Sequence, residues 1–142
     1  MTGVQTCALP ISGYWIALWN PKDALHDRAI GIADQLGTCA VVTTQMVLTE
    51  ALDAMAGMGE FRRKVAAQMV QELEDNSDVE IVRQTDSQFK AAVERYASRS
   101  DQRWGLTDCA SFLVMEEYTL TEALAYDQDF EQAGFVALLR RH

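Results

Sequence analysis

The sequence predicts an α/β domain, a three-layer α/β/α sandwich with a mainly parallel central sheet. Short β-branched or apolar runs (CAVVTT, DVEIV, TEALAYD, GFVALL) alternate with amphipathic stretches of ten or more residues. That rhythm is the mark of strand-to-strand crossovers through helices, which cover a parallel sheet on both faces. With 142 residues the chain suits one domain, large enough to bury about two thirds of the surface its unfolded form exposes. A content of 49% hydrophobic and 23% charged residues is that of a folded globular chain rather than a disordered one.

Taken in order, GYWIALWNP looks like the end of a buried strand running into a helix. In DALHDRAIGIADQL, Leu25, Ala29, Ile32, Ala33 and Leu36 recur at helical spacing, and Gly37 follows as a helix terminator. CAVVTT is a short strand, and TQMVLTEALDAM turns at once into a helix with Thr44 as N-cap. EFRRKVAAQMVQELE sets Phe61, Val65, Met69, Val70 and Leu73 on one stripe, and DVEIV is the next strand. TDSQFKAAVERYA opens on a T-x-x-Q capping box at Thr85 and Gln88, with Phe89, Val93 and Tyr96 expected to point inward. TDCASFLVMEEY is a helix with Thr107 expected as its cap, TEALAYD a strand ending at Asp127, and GFVALL a last short strand. There is no internal repeat and no low-complexity segment.

Net charge and cysteine usage narrow the function. A formal charge of −9 disfavours nucleic-acid binding through overall positive charge. Local basic groups remain at Arg62 to Lys64, at Arg95, Arg99 and Arg103, and at Arg140 and Arg141, and each most simply faces solvent. Cys7, Cys39 and Cys109 are too few and too scattered for a disulfide framework, which implies a reducing compartment. No stretch approaches the roughly 18 apolar residues of a membrane span, so a cytoplasmic protein without membrane attachment is expected.

Ligands of open parallel sheets bind beyond the carboxyl ends of the strands, so acids placed there carry most weight. Three qualify. Asp127 follows the strand EALAY, Asp108 is expected at the first position of its helix, and Glu50 lies in the second turn of the helix after AVVTT. Met46, Val47 and Ala54 around Glu50 place it at the edge of the buried stripe, with no basic neighbour to pair it. A buried unpaired carboxylate costs several kcal/mol, which makes a bound cation attractive. Taken singly, Asp108 is a first-turn acid favoured by the helix dipole and Asp127 a turn residue. Three acids at one sheet edge repel one another unless a divalent cation offsets them. Oxygen ligands without a His or Cys cluster favour Mg²⁺ or Mn²⁺ over zinc.

Other chemistries have less support. His26 reads as a surface helix residue and Cys109 as a small core residue, and the chain contains neither a G-x-S-x-G elbow nor a P-loop. YDQDF holds a D-x-D like that of haloacid-dehalogenase-type phosphatases, but near the end of the chain and without the following Thr.

GYWIALWNPKDALHDRA, TTQMVLTEAL, DQRWGLTDCASFLVM and TEALAYDQDFEQAGF resemble the successive motif blocks of PIN-domain proteins, particularly the VapC-like ribonuclease toxins. The resemblance runs from about Gly13 to Phe135, and LTDCASF and LAYDQDFEQAGF are its most specific parts. It implies an acidic pocket holding Mg²⁺ or Mn²⁺, with Glu50, Asp108 and Asp127 as the second, third and fourth family acids, both catalytic and metal-binding. It also implies an RNA substrate, a cognate antitoxin that blocks the pocket, and a homodimer. Thr44, Thr107 and Ser111 would orient ligands or water. Asp129 stands where the family often has His, and Asp101 is either a further acid near the pocket or a loop residue.

The first family acid, an Asp closing strand one, should stand at about Ile11, before Ser12. No acid occurs before Asp23, so a non-catalytic interaction module that keeps the fold is the alternative function. VQTCALPI provides neither an apolar β-branched run nor the acid, and Pro10 would remove a ladder donor from a central strand. Met1 to Ile11 also agree residue by residue with the translation of a common sequencing-library adapter begun at a GTG codon. Residues 1–12 are therefore expected to be a non-native segment replacing the true first strand, and 13–142 the PIN-like domain.

Overall fold

The computed structural model describes residues 6–140. Its strands are β1 (Thr6–Pro10), β2 (Ala40–Thr44), β3 (Val79–Val82), β4 (Glu122–Leu124) and β5 (Val136–Ala137). All four pairings are parallel, in the order β3-β2-β1-β4-β5. The helices are α1 (Ser12–Trp19), α2 (His26–Leu36), α3 (Gln45–Met55), α4 (Glu60–Asp75), α5 (Asp86–Ser98), α6 (Leu106–Glu117) and α7 (Asp129–Gln132), followed by a 3₁₀ turn over Leu138–Arg140. Residues 1–5 of the segment read as foreign, together with Arg141 and His142, lie outside the described residues.

Alternation along the strands divides the core in two, because successive side chains leave opposite faces of a sheet. Leu9 and Ile11, with Ala123 and Ala125, join Phe112, Met115 and Ala92 on the face covered by α5, α6 and α7. Ala8 and Leu124 join Trp15, Ala29, Val47, Ala51 and Ala66 on the face covered by α1 to α4. The three-layer sandwich with a parallel sheet is as the strand-and-helix rhythm predicts.

The first strand departs from expectation. TCALP, taken as too irregular to be a strand, is the central strand, with Ala8 and Leu9 fully buried. Its position between two neighbours compensates for a poor intrinsic pattern, since strand preference is mostly a matter of packing. Pro10 nevertheless interrupts the ladder: the register with β2 shifts between Thr6 and Ala8 and runs only to Ala8 opposite Val41. Beyond that point a side chain takes over. The buried Thr43 hydroxyl donates to the Pro10 carbonyl at 3.0 Å and accepts from Trp15 Nε1 at 3.3 Å.

Further differences are local. GYWIALW is helix rather than strand end, because Tyr14, Trp15, Ala17 and Trp19 are buried between sheet and helices. Phe89, Val93 and Tyr96 face outward, at 44%, 40% and 55% exposure. The side of α5 turned to α6 instead carries Ala92 and Arg95, whose guanidinium grips Glu116 with two bonds of 2.9 Å. Phe61 is likewise exposed. β4 ends at Leu124, three residues short of Asp127. Cys7 and Cys39 form a disulfide, which the cysteine count did not anticipate. Pairing of Thr6 with Ala40 across β1 and β2 brings their neighbours together, with Cα atoms 5.9 Å apart. The capping boundaries at Thr44 and Thr85 are as expected, with Val47 N–H and Gln88 N–H donating to the hydroxyls.

Pro10→Val restores a donor to the central strand without changing its apolar character. A gained ladder bond is worth about 0.5–1.5 kcal/mol, and the melting temperature is expected to rise by about 2–5 °C. A fall in melting temperature, measured by thermal denaturation, would count against the described register.

Candidate active site

Because every strand runs the same way, all their carboxyl ends meet one edge of the sheet. Ile11 leaves β1 there, Thr44 leaves β2, and the segment Ala125 to Asp127 leaves β4.

Asp108 reaches that edge from the first turn of α6. Gly105, not Thr107, is the N-cap, so Asp108 occupies the third helical position rather than the first. Its Oδ2 accepts the Gly105 N–H at 3.2 Å, closing the turn onto the acid. The half-buried carboxyl is pushed up to about 7, first by burial, then by a hydrogen bond with the Asp129 side chain and by the charges of Asp127 and Asp129; the Gly105 N–H opposes the rise. A carboxyl that shares a proton with a neighbouring carboxylate behaves in this way.

Asp127 follows β4 and anchors the start of α7 by accepting the Asp129 N–H at 3.2 Å. Its carboxyl is also raised. Partial burial is the largest cause, although much of the residue is exposed, and the charge of Asp129 adds to it, as does Glu50 to a smaller degree; the Asp129 N–H and Arg140 pull the other way. Asp129 therefore belongs to the group. Sequence reasoning marked it only as standing where the family often has His, and its D-x-D spacing to Asp127 was the available signal.

Glu50 stands on α3 and is exposed, not buried as its neighbours suggested. The buried side of α3 is Val47, Leu48, Ala51 and Met55, which turns Glu50 toward the open edge. It accepts a hydrogen bond from the Ser12 hydroxyl at the start of α1, a partner missed because Ser12 was read only as the residue after the absent acid. Glu50 also lines an open groove of about 420 Å³ with Gln45, Thr49, Asp53, Gln84 and Thr107.

Other expected participants do not reach the acids. Thr44 spends its hydroxyl on capping α3. Ser111 is fully buried, and its hydroxyl has no partner among the described residues. Asp101 is clasped by Arg99 at 3.0 and 3.1 Å and serves the loop. His26 Nδ1 lies 2.7 Å from the Ala17 carbonyl and ties α2 to α1. Cys109 is buried, which raises its thiol.

The donor chemistry fits a hard divalent cation: oxygen only, from carboxylates that raise one another's affinity for protons. As the side chains stand, no three His, Cys, Asp or Glu among the described residues enclose a metal position. At the carboxyl end of β1 the contribution is the buried, apolar Ile11.

A parallel α/β/α sandwich with acids gathered at its carboxyl edge is the architecture of a hydrolase of the PIN type. No protein-family model matches the chain. It is 30% identical over 129 residues to the 23S rRNA-specific endonuclease VapC20 of Mycobacterium tuberculosis, across 88% of this chain and 92% of that protein, with the same figures in two strains. The crystal structure of M. tuberculosis VapC20, a sarcin-ricin loop cleaving toxin, superposes with a TM-score of 0.81 at 25% identity, covering 91% of this chain and 96% of that one. The chain belongs to the VapC-like ribonuclease toxins of the PIN-domain family.

The folded state holds the Asp108 proton more tightly than the unfolded chain does, so it binds more protons between pH 3.8 and about 7. Its contribution to stability is complete below the lower value and is lost as pH rises through the upper one. Without divalent cations, Asp108→Asn is expected to melt higher than the parent at pH 8. The gain is about 1–2 kcal/mol once solvent screening is discounted, and it should vanish at pH 4. A gain that persists at pH 4 would separate the effect from the carboxyl's ionisation.

Proposed function

We propose that the chain is a metal-dependent endoribonuclease that hydrolyses a phosphodiester of structured ribosomal RNA, as the toxin of a toxin–antitoxin pair. The observation that carries this is the gathering of Asp108, Asp127, Asp129 and Glu50 at the sheet edge. There burial first, then the Asp129 hydrogen bond and the charges of Asp127 and Asp129, raise Asp108 to about 7, and Asp129 and Glu50 add to the rise at Asp127. The similarity to a 23S rRNA-specific endonuclease supports the substrate class.

Glu50, Asp108 and Asp127 would hold Mg²⁺ or Mn²⁺. When bound, such an ion lowers the pKa of water and offsets charge at phosphorus and leaving oxygen. The chain's own groups do the rest. Ser12 orients the Glu50 carboxylate through its hydroxyl. Asp129 is hydrogen-bonded to the Asp108 side chain and adds its charge to the group, which fixes the orientation of the Asp108 carboxyl.

Ile11 marks the defect. It is the N-cap of α1, accepts the Tyr14 and Trp15 N–H groups through its carbonyl, and provides no side-chain cap. Asp is among the residues best suited to that position. We therefore assign an Asp at this place to the natural chain, with residues 1–12 a foreign replacement; resequencing the 5′ end of the gene tests this. A non-catalytic interaction module is the second function, favoured by the apolar Ile11 itself.

Cleavage of a 23S rRNA fragment containing the sarcin-ricin loop, measured with Mg²⁺ or Mn²⁺ and with chelator, decides between them. The chain as it stands is expected to cleave weakly, and Ile11→Asp to raise the rate by about 10- to 100-fold, the scale on which metal-site support changes activity. Asp108→Asn in that background should abolish cleavage. Rates unmoved by Asp108→Asn, or an inactive but folded Ile11→Asp protein, would leave the interaction module.

A further inference from the structure

Next to Asp127 lies a second cavity of different chemistry. Ala24, Leu25, Arg28, Tyr126 and Arg140 line about 230 Å³. Two of these five residues are arginines, in a chain whose formal charge is −9. The volume lies below the roughly 300–1,000 Å³ typical of small-molecule pockets, so it takes a compact anionic group rather than a whole nucleoside.

The arginines are held in place by the fold. Arg28 donates to the Leu139 carbonyl. Arg140 donates to the Tyr126 carbonyl at 3.1 Å, pairs with Glu131 at 3.1 Å, and lies over the Tyr126 ring with 5.6 Å to its centroid. A guanidinium has five donors, so these contacts leave Arg140 further N–H groups for a ligand. A pre-oriented guanidinium fork also suits phosphate oxygens, which it binds two at a time.

The cavity adjoins the acids. Tyr126 precedes Asp127 in the chain, and Arg140 acts electrostatically on the Asp127 carboxyl. The groove that Glu50 lines is formed by Gln45, Asp53 and Gln84 among others, with no Lys or Arg, and would repel a phosphate. The two flanks of the site are therefore unlike. Tyr126 keeps 48% of its surface exposed at the rim of the basic one, and exposed aromatic rings stack on unpaired bases.

We propose that the Arg28–Tyr126–Arg140 cavity is a phosphodiester subsite, which grips the RNA phosphate next to the scissile one while Tyr126 stacks on the adjoining base. The proposal rests on the ribonuclease function above and assigns the backbone contact of the strand to one flank of its site.

Binding without turnover tests it. A fluorescently labelled RNA hairpin carrying the sarcin-ricin loop is titrated with the full chain in EDTA, by anisotropy, between 50 and 200 mM KCl. Arg28→Gln and Arg140→Gln should each lower the slope of log affinity against log salt by about 0.7–0.9, the loss of one phosphate contact. Arg28→Lys and Arg140→Lys should keep the slope, which guards against a merely structural role for the arginines. Tyr126→Ala should weaken binding by about 5- to 100-fold and leave the slope alone. Hairpin binding by the parent with slopes unmoved in both Gln variants, or equal slopes for Gln and Lys variants, overturns the subsite and spares the ribonuclease. A parent that binds no hairpin at any salt overturns both.

Discussion

Phe112 meets Trp104 and Phe130 edge-on, each at 4.9 Å between ring centres, and stacks against Phe135 at 5.8 Å. Much else depends on that contact. Phe112 is on α6, one turn beyond Asp108, and Phe130 is on α7, next to Asp129, so packing the rings brings the two acids together. Phe112 and Phe130 have no exposed surface, and burying an aromatic side chain contributes about 1.5–3 kcal/mol. The apolar core thus drives an arrangement that its carboxylates resist.

The resistance shows in the protons. Asp108 and Asp127 both bind protons more tightly than free carboxyls, with burial the largest cause and neighbouring charge a further one. Backbone donors moderate this without removing it: Gly105 N–H at Asp108 and Asp129 N–H at Asp127. Acids that raise one another's proton affinity are a local cost to stability, the kind of compromise that functional sites carry. Ile11 alters the balance at the end of β1, where an apolar side chain adds to the core and contributes no ligand.

The first strand illustrates how far a fold tolerates a poor segment. TCALP has few β-branched residues and a proline, yet it is central because Ala8 and Leu9 fill both halves of the core. What Pro10 takes from the ladder is partly replaced by the Trp15, Thr43 and Pro10 chain of hydrogen bonds. A strand between two neighbours is held by both, so local composition counts for less there than at a sheet edge.

Much of the fold was legible in the sequence, through periodicity and capping: strands β2 and β3, helices α2 to α6, and the caps at Thr44 and Thr85. So was the parallel sheet, because strand-and-helix alternation leaves few other arrangements. Asp108, Asp127 and Glu50 could be singled out because strand ends predict an edge. What periodicity alone misjudged was rotation and partnership. Glu50, Phe89, Val93 and Tyr96 lie within a few residues of buried positions, and which way each helix turns is decided by the surface it packs on. The Ser12–Glu50 bond, the Asp108–Asp129 bond and the Cys7–Cys39 bridge join residues 38, 21 and 32 positions apart, and the flanking arginines Arg28 and Arg140 are 112 apart. Sequence determined which chemistry the chain carries and on which elements; only tertiary packing decided which groups meet, because those contacts are set by the sheet order and the aromatic core rather than by any local pattern.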